Sequence, residues 1–187
     1  DVKLSQSFWV LTIAGVIIFT AMSAMLMGRP LLMNNLKFDA TSISSVTIPG
    51  GFISLPLTFY IGSLSDRFGR KTLLLLCYVI AIVGMMMLIV SDLIWHFWVS
   101  EICFAFIGIS IVVGSALITD IVPREAFDTA ISRYSASAWM GSIFGFGLVG
   151  YIIDWVGIST MFGFATVLMV IALLMIVLLQ LPKAKLS

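Results

Sequence analysis

Gly62-Ser63-Leu64-Ser65-Asp66-Arg67-Phe68-Gly69-Arg70-Lys71 is the stretch that decides how this chain is built. Its ten positions hold four charged residues and two glycines, and apolar runs flank it, back to Ile43 and on to Val90. A charged stretch this short between runs that long reads as a reversal at a membrane surface. Its cations then belong on the cytoplasmic side. Gly69 suits a tight turn that a residue with a Cβ resists.

Composition extends this reading to the whole chain. Of 187 residues, 61% are apolar and 10% charged, with a mean hydropathy of +1.18. A soluble domain carries roughly a quarter charged residues, so most of this exterior must face lipid. A net charge of +1 gives no sign of a nucleic-acid partner. The sequence has no Walker loop, no metal-ligand spacing and no nucleophile–base arrangement, which argues against an ATP-driven pump or an enzyme. No metal, cofactor or catalytic residue is expected. The eleven methionines, Met85-Met86-Met87 among them, read as adaptable packing. Cys77 and Cys103 lie in apolar runs and read as small buried or lipid-facing residues; nothing favours a disulfide between them.

A helical span needs about 20 apolar residues, and six segments qualify: Phe8–Met27, Ile43–Leu64, Thr72–Val90, Leu93–Ile118, Thr129–Ile153 and Ile158–Leu181. None alternates as a barrel strand would, so the expected fold is an all-α membrane protein, residues 1–187 forming one six-helix bundle. With six spans both termini share a side. That side collects Lys3, Arg67, Arg70, Lys71, Arg124, Arg133, Lys183 and Lys185, against Arg29 and Lys37 opposite. The bias predicts cytoplasmic termini. Trp95, Trp98 and Trp155 then fall near the outer interface, where indole rings anchor.

The quoted loop meets every specified position of G-x-L-(A/S)-D-R-x-G-(R/K)-(R/K), the signature of the major facilitator superfamily, and the chain resembles one six-helix half of such a transporter. The fourth span ends in Asp120-Ile121-Val122-Pro123, similar to the family's D-x-V-P, and the glycines of the fifth (Gly141, Gly145, Gly147, Gly150) resemble its glycine-rich fifth or eleventh helix. The antiporter version of that helix carries Gly-Pro; Phe146-Gly147 stands here instead. The start at Asp1 suggests a fragment, a split half or a processed chain. The lead into Ser7-Phe8-Trp9 and the ending Leu181-Pro182-Lys183 resemble a second half somewhat more than a first. The resemblance implies an integral protein, most simply of a bacterial inner membrane, partnered by lipid, a small-molecule substrate and a second six-helix half. That half would sit in the same polypeptide, a separate chain or a homodimer.

The resemblance also implies a conformational latch from Gly62, Asp66, Arg67, Gly69, Arg70 and Lys71, with Arg67 or Arg70 paired to Asp120. Gly62 would let the second and third helices approach closely, and Asp66 would accept backbone donors at a neighbouring helix start. Glu101 is the one carboxylate well inside a span. Such a group is costly in lipid and normally marks a functional path, so it is a candidate for proton coupling or substrate contact. With Ala105, Gly108, Val112, Ser115 and Thr119 it forms a small, partly polar stripe expected to face a partner helix or cavity, leaving Ile102, Phe106, Ile109 and Val113 toward lipid; Ser115 and Thr119 are candidates for the same substrate or proton contact. His96, the sole histidine, is a candidate relay to Glu101, although five residues put the two on different faces. Arg29-Pro30 is read as closing the first span, Arg29 as a snorkelling anchor, and Arg133 as an anchor, a gate contact or a contact for an anionic substrate. Pro49-Gly50-Gly51 and Pro56 predict kinks in the second span. Ser137, Gly141 and Gly145 form a small-xxx-small ridge for tight helix contact.

The leading function is therefore secondary active transport by alternating access, symport or antiport. A non-transporting six-helix scaffold or accessory subunit is the alternative. A channel is the weaker third, because only the fourth span shows a polar stripe.

Overall fold

The computed structural model describes residues 4–179; Lys3, Lys183, Lys185 and the Leu181-Pro182-Lys183 ending lie outside that range. Seven α-helices account for nearly all of it: α1 Gln6–Asn35, α2 Ala40–Ser45, α3 Thr47–Phe68, α4 Arg70–Ile89, α5 Ile94–Ile121, α6 Phe127–Val156 and α7 Ile158–Leu178, with a 3-10 turn at Arg124–Ala126. Taking α2 and α3 as one span, six helices are long and apolar enough to cross a membrane. Successive spans run in opposite directions. One end of the bundle therefore holds Gly69, residues 122–126 and both described chain ends. The other holds residues 36–46, 90–93 and Gly157.

The corners follow from local chemistry. Gly69 (φ 82°) and Gly157 (φ 83°) each join two helices through a single residue with positive φ, where a Cβ would clash. Gly69 N–H donates to Ser65 O at 3.0 Å and Gly157 N–H to Ile153 O at 2.9 Å, closing α3 and α6. The reversal predicted over ten residues is thus a one-residue corner, and the rest of the quoted stretch is helical.

Three sequence expectations need correction. The first span does not close at Arg29-Pro30, since α1 continues through Pro30 to Asn35. The second span breaks at Val46, before Pro49. Proline fits the first turn of a helix but clashes with the carbonyl four residues back, so the helix restarts at Thr47 and Pro49 sits in its opening turn; Pro56 lies inside α3. On α5, Ile109 and Val113 are buried rather than lipid-facing, while Gly108 and Val112 are exposed. At Ile109 and Val113 the bulky side of α5 packs against its neighbours, as close packing of large side chains favours, and the small stripe is open at Gly108 and Val112 and half-buried elsewhere.

The core is built by α1, α4, α5 and α7, with Phe8, Ile18, Met25, Leu74, Tyr78, Met85, Phe97, Ile107 and Phe162 fully buried. Small residues set the closest helix contacts. A Cβ on Gly84 would lie 2.7 Å from Cys103 Cβ, and Ser100 Oγ donates to Gly84 O at 3.0 Å there, tying α5 to α4. Ser137, Gly141 and Gly145 lie along the contact of α6 with α1: a Cβ on Gly145 would meet Ser23 Cβ at 2.5 Å and Thr20 O at 2.6 Å. Thr20 Oγ1 donates to Gly141 O at 3.1 Å and Ser23 Oγ to Ser142 O at 3.4 Å. Cys77 is buried and Cys103 half-buried, and both are free thiols. By contrast α3 and α6 leave broad apolar faces exposed, among them Phe52, Leu55, Phe59 and Tyr60 on one and Trp139, Ile143, Tyr151 and Trp155 on the other.

Candidate functional site

Among the described residues two ion pairs join the bundle's helices, one near each end, and α5 supplies the carboxylate of both. At the Gly69 end, the helix start that the corner creates aims Arg70 at the last turn of α5. Its Nη1 donates to Thr119 Oγ1 and Asp120 Oδ1, both at 2.9 Å, and to Ala116 O. Backbone carbonyls are left free at a helix C-terminus, where a cation is favoured. Arg70 therefore pairs with a carboxylate and caps a helix at once. The pair is wet, its side chains 30% and 51% exposed.

The rest of the signature divides between partners. Lys71 Nζ donates to Val177 O at 2.9 Å and Leu179 O at 2.6 Å, capping the end of α7. Arg67 lies 5.8 Å from the centroid of the Phe68 ring and not against Asp120. Asp66 makes no hydrogen bond or ion pair to another described residue; it lines, with Gly62, Ser65, Arg70 and Val112, a cleft of about 110 Å³ between α3 and α5. The close approach expected at Gly62 is absent, because nothing lies within 4 Å of a Cβ built there. Gly62 faces the cleft, not α4.

Toward the opposite end, Arg29 Nη1 donates to Glu101 Oε2. The extended α1 explains this. By carrying its helix past Pro30, the chain holds Arg29 at the depth of Glu101, each about 10 Å from its helix end at 1.5 Å per residue. The pair is dry, with side chains 6% and 17% exposed, and Arg29 Nε is buried with no partner. Arg29 is therefore an internal counter-ion, not a snorkelling anchor. Gly50 of α3 completes the site: a Cβ there would lie 2.8 Å from Glu101 Cγ and 3.1 Å from Oε1.

The stripe predicted around Glu101 is not one site. Thr119 belongs to the Arg70 cluster, about 27 Å along the helix from Glu101, and donates to Ala116 O at 2.7 Å; Ser115 is half-buried near that end. His96 does not reach Glu101. Its Nδ1 accepts from Leu93 N–H at 3.2 Å, closing the first turn of α5, and lies 3.0 Å from Asp92 Oδ1. Arg133 is exposed on α6. Sequence reasoning missed the pairing of Arg29 and the place of Gly50. The available signal was an arginine and a glutamate, each lone in its apolar run, at equal depth from one end.

The family model described as Major Facilitator Superfamily matches residues 8–187. The tetracycline resistance protein, class B, of Escherichia coli is 29% identical over 90 residues, 48% of this chain and 21% of that protein. An uncharacterized MFS-type transporter of Bacillus subtilis (strain 168), YfiU, is 29% identical over 106 residues, 56% of this chain and 20% of its own length. Each match thus spans about a fifth of the relative's length.

Proposed function

The chain belongs to the major facilitator superfamily, a family of membrane transporters, and on that premise we propose that it works as one half of a secondary carrier. A second six-helix half would cover the exposed apolar faces of α3 and α6 and complete a pathway between them. The substrate would bind at the seam, and the halves would rock to expose it to either side in turn. The cation bias supports cytoplasmic termini, with the Gly69 end facing inward. The bacterial relatives support an inner membrane. The work is movement, not covalent chemistry, and needs no resident cofactor.

The observation that carries this reading is Arg70, set by a one-residue corner so that it clasps the end of α5. An exposed Arg–Asp pair is worth about 0–1 kcal/mol, light enough to be made and broken within a transport cycle. Asp66, unpaired in the same cleft, is placed to take up a contact from the second half. Glu101 is the proposed substrate or proton contact.

The test uses the full carrier with Cys77 and Cys103 replaced, and single cysteines at Gly62 and at Gly51, two open positions toward opposite ends. Labelling by a membrane-impermeant maleimide should be reciprocal: conditions that raise it at one position lower it at the other. Arg70→Ala should shift the balance severalfold. Fixed accessibility at both positions, unmoved by Arg70→Ala, would retire alternating access in favour of a scaffold.

A further inference from the structure

The chain repeats itself. A shift of 88 positions carries Gly62, Asp66 and Gly69 onto Gly150, Asp154 and Gly157. It carries the start of α1 at Gln6 onto the start of α5 at Ile94, and the start of α4 at Arg70 onto that of α7 at Ile158. Packing follows the same shift. Leu73, Leu74, Cys77, Ala81, Gly84 and Leu88, all buried on α4, land on Met161, Phe162, Ala165, Met169, Ala172 and Ile176, the buried residues of α7. A shift of three spans turns the copy upside down in the membrane. The two G-x-x-x-D-x-x-G stretches therefore end at opposite ends of the bundle, each in a one-residue corner, φ 82° at Gly69 and 83° at Gly157.

The copies differ in charge. The Gly69 corner carries Arg67, Arg70 and Lys71, whereas the matching positions around Gly157 hold Trp155, Ile158 and Ser159. Asp154 is exposed, and among the described residues no cation pairs with it. It also ends an open face. Met140, Ile143, Gly147, Gly150 and Asp154 recur at helical spacing on α6, and all are exposed. So are their counterparts on α3: Phe52, Leu55, Phe59, Gly62 and Asp66. The α6 face is apolar until its last turn. A partner that covers it must bring a cation there, because a carboxylate covered without one is costly.

We propose that Asp154 takes a cationic side chain of the second six-helix half, at the opposite end of the bundle from the contact proposed for Asp66. The inference rests on the carrier reading and adds a residue and a partner chemistry at the end that the signature does not reach. The repeat points to the occupant. The second half covers the face that Asp66 ends on α3, and α6 presents an inverted copy of that face, so one partner meets both. As the halves rock, one acid is engaged while the other is released.

The test uses the full carrier in lipid vesicles with the photoreactive p-benzoylphenylalanine replacing Tyr151, which lies one turn from Asp154 and is 61% exposed. Irradiation should join position 151 to a peptide of the second half, identified by mass spectrometry. Asp154→Asn should cut that product at least threefold, and Asp154→Glu should keep it within twofold. With single cysteines at Gly51 and Gly62, Asp154→Asn should raise maleimide labelling at Gly51 and lower it at Gly62, each at least threefold, since releasing the Gly157 end favours its opening. Products with lipid alone or with another copy of the carrier alone overturn the proposal. So do product and labelling that both stay within twofold of the parent in Asp154→Asn. The carrier reading fails separately: a product lost in Asp154→Asn beside fixed labelling retains the contact and removes the carrier, and reciprocal labelling beside lipid products alone does the reverse.

Discussion

Replacing Gly145 with alanine should loosen the whole bundle, because α6 meets α1 there with no room for a methyl group. A Cβ at that position would lie 2.6 Å from Thr20 O, whereas ordinary contact begins at 3.4 Å. Ser23 can rotate, but Thr20 O is backbone, so α1 and α6 must part by about 0.8 Å. Overpacking of this kind costs about 1–3 kcal/mol. Parting the helices also stretches the bonds from Thr20 to Gly141 O and from Ser23 to Ser142 O, each worth about 0.6 kcal/mol within a membrane. The better helix propensity of alanine offsets about 1 kcal/mol. The net is a loss of about 1–3 kcal/mol, which at about 2–4 °C per kcal/mol for a chain of this size lowers the Tm by about 2–12 °C. Gly147→Ala and Gly150→Ala are the controls, since nothing lies within 4 Å of a Cβ at either; they gain propensity without the clash. Thermal unfolding in detergent, followed by circular dichroism, measures all three. If Gly145→Ala melts with Gly147→Ala, the α1–α6 contact is not a tight seam.

Gly69→Ala forces a Cβ into the conformation with φ 82° at a cost of about 1–3 kcal/mol, so its Tm should fall while that of Gly62→Ala, in open space, holds. Lys71→Met removes both caps from α7, and amide exchange near residues 176–179 should accelerate severalfold with α4 unaffected. The Ser42 hydroxyl holds the Asp39 carboxyl below its usual value of 3.8 as it caps α2. A depressed carboxyl stabilises the fold above its unfolded pKa and loses that contribution as pH falls through the folded one. Amide protection over 40–45 should therefore be flat from pH 7 to 5 and drop only below about 3.8; Ser42→Ala should lower the protection above that pH and shrink the drop.

The architecture was legible because lipid leaves few choices. Runs of about 20 apolar residues must be helices, and the charged decade had to lie at a surface. What the apolar count could not show was where a helix ends. Arg29-Pro30 looked like a terminus because proline lacks a donor and arginine shuns lipid. Both rules are local, and Glu101, seventy-two residues on, overrides the second. The same holds for α5: periodicity separates a small face from a bulky one, but not which packs, since in lipid either can be outside. Gly62 and Gly145 read alike in sequence. Only the neighbours reveal that one faces a cleft and the other a backbone carbonyl.

The two ion pairs on α5 are not equivalent, and the difference is one of water. Asp120 and Arg70 share a partly exposed site, where separation returns both charges to solvent at a cost of about 0–1 kcal/mol. Glu101 and Arg29 share a dry one, where removing a partner leaves a buried charge unpaired and costs about 3–5 kcal/mol. The first can part on thermal motion alone. The second cannot part without leaving two charges in a dry site. On the proposed carrier reading, a change at Glu101 would free that end of α5 from α1, and the Arg70 end, more lightly held, would be able to follow. Both carboxylates sit on α5, so the signature corner and the buried acid are joined to one and the same helix.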